Sequence, residues 1–199
     1  MLKDTHGRII LDALLSKVDI DINDPEQTPT NKLIKFDNGE PIYIGLLNIL
    51  PTPDHKQRTD PNSGLQYYFK EPGSAPGNTY REYMRIRIDT ESQLNKIFLL
   101  SDAIYDESTG EIYVTNLDSI LFPEAFGEPK NDGTGEGTGW GDIQGFGLFY
   151  TQNTSQVDTE NSIPFLWGEI KKAGTNEPIT VAGGEVPVIR EGGLRISIK

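Results

Sequence analysis

The stretch GTGEGTGWGDIQGFGLFY, residues 133–150, opens as a glycine-rich loop and passes without a break into an apolar, aromatic run. Such a loop either cradles a phosphate or a metal, or gives a strand room to begin. The surrounding chemistry selects the second. A phosphate-binding P-loop needs a Lys followed by Ser or Thr after its last glycine, to reach the phosphates and the magnesium ion. Here the residues are GTGWGD, and a strand-like run follows, so no helix N-terminus presents its N–H groups. Glu136 and Asp142 would repel a phosphate further. The dinucleotide-binding motif fails too, because it follows a strand and opens a helix. Within the run, Gly145 and Gly147 alternate with Phe146, Leu148 and Tyr150. Glycine at every second strand position leaves one face bare, so another backbone or a large ring can approach closely. Trp167 is a candidate ring. The expectation is a slack loop before a core strand, whose glycines serve packing.

Working outward, a period of two recurs. Met84, Ile86 and Ile88 alternate with Arg85 and Arg87, which predicts a half-buried strand with Arg81, Arg85 and Arg87 on its solvated face. Leu194, Ile196 and Ile198 alternate with Arg195, Ser197 and Lys199. AIYDESTGEIYVTN, residues 103–116, predicts a hairpin turning at ESTG. Further strand candidates are KLIKF, PIYIGLLNI, LQYYF, DIQGFGLFY, IPFLWGEI and PITVA. Residues 8–18, RIILDALLSKV, instead carry apolar residues at helical spacing, and the acidic, proline-containing segment after them reads as a linker. The predicted fold is all-β, a sandwich-like domain of about eight to ten short antiparallel strands with one short N-terminal helix. Residues 1–31 form a helix and linker arm, and residues 32–199 the β domain, with long loops at 51–64 and 123–141.

Composition narrows the function. The chain of 199 residues contains no cysteine, which excludes disulfides, zinc–thiolate sites and thiol catalysis. A net charge of −12 disfavours non-specific attraction to nucleic acid or anionic lipid. No apolar run approaches the roughly 20 residues that span a bilayer, and the N-terminus lacks the pattern of a signal peptide.

Each motif for chemistry falls short. Asp19, Asp21, Asn23 and Asp24 resemble the start of a calcium-binding loop, but Asp24 stands where glycine is needed and Thr30 where a bidentate Glu belongs. The histidines are His6 and His55; Asp54 is a neighbour that could orient His55, without a nucleophile elbow nearby. A glycosidase needs two carboxylates across a sugar, and 30 acidic residues offer many pairs without selecting one. Tyr67, Tyr68, Phe69, Tyr80, Tyr83, Trp140 and Trp167 could stack a sugar, although core packing is the default use of rings at strand positions. No catalytic constellation, metal site or cofactor site emerges, and the chain is not expected to be an enzyme.

The C-terminal third carries a resemblance. WGDIQGFGLFY, PFLWGEI and PITVAGGEVPVIREGGLRISIK resemble small bacteriophage virion structural proteins usually described as tail-fibre proteins. The matching residues are Trp140, Gly141, Ile143, Gly147, Leu148 and Phe149, then Phe165, Trp167 and Gly168, then Ile179, Val181, Leu194, Ile196 and Ile198. The resemblance is specific from about residue 138 onward. Upstream, TYREYMRIRI and PIYIGLLNILPTP follow in matching order, whereas residues 94–116 have no counterpart and the segments 51–64 and 150–162 look enlarged. It implies a virion protein assembled in the host cytoplasm: a tail-apparatus subunit (fibre, baseplate or adaptor), homo-oligomeric and in contact with other virion proteins. A head-decoration protein and a carbohydrate-binding module reading host surface glycans are the alternatives.

Overall fold

The computed structural model describes residues 42–73, 82–88, 100–101, 103–128, 137–152, 163–172 and 174–198. The expected helix at 8–18, the linker after it and the strand KLIKF lie outside the described residues, as do His6, Asp19, Asp21, Asn23, Asp24, Thr30, Tyr80, Arg81 and Glu136. Among the described residues the protein is all-β, built from many short antiparallel strands in several small sheets. Their contacts divide into two compact units that interleave along the chain. One draws on Ile42, Arg87–Ile120 and Ile189–Lys199, and the other on Tyr43–Ile86 and Leu121–Val188.

The second unit is organised by β1 (Tyr43–Leu47), whose run of apolar residues is almost wholly buried. It later adds β2 (Arg58–Thr59) and β3 (Gln66–Tyr67), a small hairpin inside and beside the segment read from sequence as a loop. The strand read at residues 84–88 is reduced to β4 (Ile86–Arg87). DIQGFGLFY divides at Gln144 into β8 (Gly141–Ile143) and β9 (Gly145–Phe149), followed by β10 (Leu166–Glu169) and β11 (Ile179–Val181). One sheet runs in the order β10-β9-β1-β4, and β11 pairs with β8. In the β1–β9 register Gly45 lies opposite Gly147, and Leu47 opposite Gly145. Directly opposed residues share a face, so three glycines of two adjacent strands leave a trough along that face. Ile44 and Leu148, also opposed, fill the other face and are fully buried.

The trough is occupied, but not chiefly by Trp167. A Cβ on Gly147 would meet the Phe149 ring and the Pro164 side chain at 2.9 Å, and one on Gly45 would meet Glu71 Oε1 at 2.5 Å. Phe149 therefore folds back over its own strand's glycine. Trp167, opposite Gly147 in the register, packs against the Leu47–Phe69–Phe149 cluster, while the Phe146 ring covers Gly168.

The end of the glycine-rich loop is not slack. Gly139 N donates to Phe126 O and Thr138 N to Glu128 O, each at 2.8 Å, so residues 126–128 and 137–139 close the base of the loop. Gly139 has φ +76°, and a Cβ there would overlap the backbone at Val181 and Ala182; one on Gly137 would overlap the backbone of Phe126. These glycines let three backbone segments touch.

In the first unit, β5 (Ile104–Asp106) and β6 (Glu111–Thr115) form the hairpin read from AIYDESTGEIYVTN, and β13 (Arg195–Ile198) pairs on the other side of β6. Ile112, Val114, Leu194 and Ile196 are buried. Asn116, also buried, makes three side-chain hydrogen bonds: its amide nitrogen donates to the carbonyls of Asp118 (2.7 Å) and Arg190 (2.8 Å), and its oxygen accepts from Leu194 N (2.8 Å). Two further strands, β7 (Ile120–Leu121) and β12 (Val188–Ile189), pair with each other. They were not visible as strands in the sequence, being two residues long.

Aspartates fix both hairpin turns. The Asp60 carboxylate takes the Lys70 ammonium and the amides of Asn62 (2.9 Å) and Ser63 (3.1 Å), which lowers its pKa to about 2. Asp106 accepts from the Ser108 hydroxyl (2.6 Å) and amide (3.0 Å) and is likewise lowered to about 2. A carboxyl depressed in the fold stabilises above its unfolded pKa of roughly 3.9, and that contribution disappears as pH falls through the folded value. Stability should accordingly decline between about pH 5 and pH 2. Replacing both residues, Asp60→Asn with Asp106→Asn, should flatten the decline in denaturant titrations across that range; an unaltered slope would contradict the assignment.

Candidate functional site

Among the described residues the densest chemistry lies in the glycine trough. Sequence alternation placed Arg85 on a solvated face with Met84 inward, and the structure reverses both: Arg85 is 1% exposed and Met84 45%. The reason is Glu71. Arg85 Nε and Nη2 donate to the two oxygens of that carboxylate at 2.9 and 2.7 Å, and Nη1 donates to Thr151 O at 2.8 Å. The guanidinium lies 3.5 Å from the centroid of the Phe149 ring, in the geometry of a cation–π contact. Neither charged side chain is accessible to solvent.

Tyr83 completes the group. Its hydroxyl donates to Glu71 Oε1 at 2.9 Å and accepts from Leu46 N at 2.8 Å, so it satisfies a backbone amide of the central strand. Burial raises the Glu71 carboxyl above the ordinary glutamate value, against the Arg85 and Tyr83 hydrogen bonds that favour its charged form. Burial and then the Glu71 charge raise the Tyr83 phenol well above its usual value. Such a bidentate pair holds its geometry strongly, because removing either charge strands the other in a dry site. Both charged side chains are closed to solvent, and the Tyr83 hydroxyl, the Thr151 carbonyl and the Phe149 ring that meet them are parts of the fold itself.

A second carboxylate works the same way. Glu82 Oε1 accepts from Gly127 N (2.6 Å), Phe126 N (3.2 Å) and Trp140 Nε1 (3.2 Å). Partial burial pushes Glu82 up, but the Gly127 amide, its own amide, Trp140 and Phe126 outweigh it and hold the carboxyl below the ordinary range. Trp140 meets Tyr83 edge-on at 5.2 Å, which joins the base of the glycine-rich loop to the buried pair.

The residues singled out for binding disperse. Phe69, Tyr83 and Trp140 are core residues. Tyr67 carries Lys70 over its ring at 4.5 Å and Arg58 at 5.5 Å. His55, at φ 53°, lies edge-on to Trp167 at 5.3 Å, while Asp54 pairs with Lys56 at 2.6 Å. The Asp142 carboxylate takes the Thr180 hydroxyl at 2.5 Å. A shallow depression of ≈ 200 Å³ is lined by Leu50, Gln144, Glu169, Ile170, Lys171 and Pro178, with Glu169 and Lys171 paired at 2.7 Å. Among the described residues no group of three His, Cys, Asp or Glu side chains could hold a metal ion.

What remains is surface. The three most exposed large apolar side chains among the described residues are Leu121 (52%), Val186 (47%) and Val188 (46%). Leu121 and Val188 belong to the β7–β12 ladder, and Val186 stands two residues before Val188. Phe122 N donates to Pro187 O at 3.0 Å, which sets Leu121 beside Val188, and Val186 shares the face of Val188 by the two-residue period. The sequence marked neither segment, because VPVI and SIL are too short for alternation to register.

Arg85→Met should destabilise the protein by about 3–5 kcal/mol, since it leaves Glu71 buried without its partner. The double variant Arg85→Met with Glu71→Leu should recover most of that loss in urea titrations; losses that simply add would show the two side chains to be independent. Gly45→Ala, whose methyl would sit 2.5 Å from Glu71 Oε1, should cost about 1–3 kcal/mol by overpacking. An unchanged urea midpoint would contradict the close fit.

No protein-family model matches the chain, and comparison with curated proteins and with solved structures finds no match to either.

Proposed function

We propose that the chain is a structural subunit of a bacteriophage particle, placed in the tail apparatus as a fibre, baseplate or adaptor component, and that it works through protein–protein contacts. The observation that carries this reading is the exposed apolar face of Leu121, Val186 and Val188. Exposed apolar side chains that adjoin one another mark contact sites more than ones scattered singly do. The internal chemistry supports it: the buried charges of Glu71 and Arg85 and the carboxylate of Glu82 are spent on holding backbone segments and one another. The placement in a phage tail rests on the resemblance carried by Trp140, Gly141, Gly147, Trp167 and the C-terminal strand. The sandwich-like arrangement, the N-terminal arm and homo-oligomeric assembly belong to the same proposal. The acidic surface, with a net charge of −12, keeps the free subunit soluble before assembly.

Purified particles tested by peptide mass spectrometry and by immunogold labelling, with antibody to the folded protein, provide the test. The expected result is peptides of this chain in the particle and gold confined to the tail. Gold distributed over the head would overturn the tail placement in favour of decoration, and particles free of the chain would overturn the virion reading.

A further inference from the structure

The depression of ≈ 200 Å³ beside the split strand is shaped by backbone geometry. Leu50, Ile170 and Pro178 supply its apolar lining. A glycine admits Leu50 to this place, since a Cβ on Gly145 would meet Leu50 Cδ2 at 2.5 Å. Gln144, the break between β8 and β9, is exposed while Ile143 and Gly145 on either side of it are buried. Its main chain is held at both ends: Gln144 N donates to Leu47 O and its carbonyl accepts from Ile170 N, each at 2.8 Å. Asn176 comes from the turn that leads into β11. That turn is closed by Lys172 N to Glu177 O (2.9 Å) and Thr175 N to Lys172 O (3.0 Å). Backbone hydrogen bonds therefore fix the segments that carry the polar lining.

The polar lining is uncommitted and electrically balanced. The amide of Asn48 is spent on the carbonyls of Trp140 and Asp142, whereas the side chains of Gln144 and Asn176 bond to no described residue. Each offers two N–H donors and a carbonyl acceptor. Glu169 and Lys171 pair with one another at 2.7 Å while 59% and 48% exposed, so the pair opens at little cost. Lys172 and Glu177, in the adjoining turn, add one charge of each sign. An anion here would meet Glu169 and a cation would meet Lys171. A neutral ligand rich in hydroxyls meets donors and acceptors without either penalty. The volume lies below the roughly 300–1,000 Å³ of pockets for drug-sized molecules, which suits one ring.

We infer that this depression binds a single ring of a neutral sugar. The Gln144 and Asn176 amides and the opened Glu169–Lys171 pair take its hydroxyls, and its C–H edge lies against Leu50, Ile170 and Pro178. No aromatic side chain lines the depression, so binding without stacking is weak, with a Kd of about 1–10 mM. This site goes beyond the assembly role and does not depend on it.

Nitrogen-15 NMR titration of the full chain tests it, with the methyl glycosides of glucose, galactose, mannose and N-acetylglucosamine as probes. At least one should move the Gln144, Ile170, Lys171 and Asn176 amide signals saturably. Glucuronic acid and glycine serve as the anionic and zwitterionic counterparts and should bind more weakly. Gln144→Ala and Asn176→Ala should each weaken the bound glycoside roughly two- to tenfold, the worth of a lost hydrogen bond. Asn62→Ala, on the β2–β3 turn, should leave it unchanged. The spectrum of each variant verifies that the fold is kept. Four inert glycosides, affinity indifferent to both amide variants, or tighter binding of glucuronic acid or glycine would each overturn the proposal. Sugar titration reads this depression alone and particle composition reads the virion placement alone, so either can fail without the other.

Discussion

The bidentate pair between Glu71 and Arg85 is the constraint from which much of the second unit follows. Two unit charges removed from water need several hydrogen bonds and close, shaped surroundings to be tolerated. The protein supplies them from four directions: the Tyr83 hydroxyl, the Thr151 carbonyl, the face of Phe149 and the space left by glycine at position 45. That space explains why the central strands meet glycine to glycine. With any side chain at Gly45, the Glu71 carboxylate could not reach its position, and with one at Gly147 the Phe149 ring could not lie across the trough.

The same pair links distant parts of the sequence. Glu71 follows the Lys70–Ile49 bridge, Arg85 precedes β4, and Tyr83 reaches both Leu46 on the central strand and the Trp140 ring at the base of the glycine-rich loop. Glu82, next to Tyr83, then fixes the amides of Phe126 and Gly127. Four residues, 82 to 85, therefore tie together β1, the end of β9 and the loop base. Met84 is the one side chain of the four directed outward.

Strand-forming character was legible where runs were long. β1, the β5–β6 hairpin, β9, β10 and β13 all fall where alternation or β-branched and aromatic residues place them. Gly145 and Gly147 were also legible as packing glycines, although the ring over Gly147 is Phe149 from the same strand. The failure at Met84–Arg85 is instructive. Alternation assigns the inward face by hydrophobicity alone, and a buried arginine defeats that rule when a carboxylate remote in sequence awaits it. Nothing in KEPG marks Glu71 as that carboxylate. The β7–β12 ladder escaped for a different reason: two-residue strands carry no period, and their pairing is fixed by the tertiary contacts of Phe122 and Ala125. The exposed face of Leu121, Val186 and Val188 was hidden for the same cause.

The central claim is that Arg85 is sealed inside the sheet by Glu71, and nitrogen-15 NMR of the Arg85 guanidinium tests it most directly. At neutral pH the account predicts separate, downfield-shifted signals for Nε–H and the Nη protons, rotation about the Nε–Cζ bond being restrained, with exchange against water slowed far below that of a solvated arginine. The Leu46 amide, bonded to the Tyr83 hydroxyl, should be protected alongside it. A single averaged guanidinium signal in rapid exchange with water would mean that Arg85 is solvated, and the glycine trough would then need another explanation.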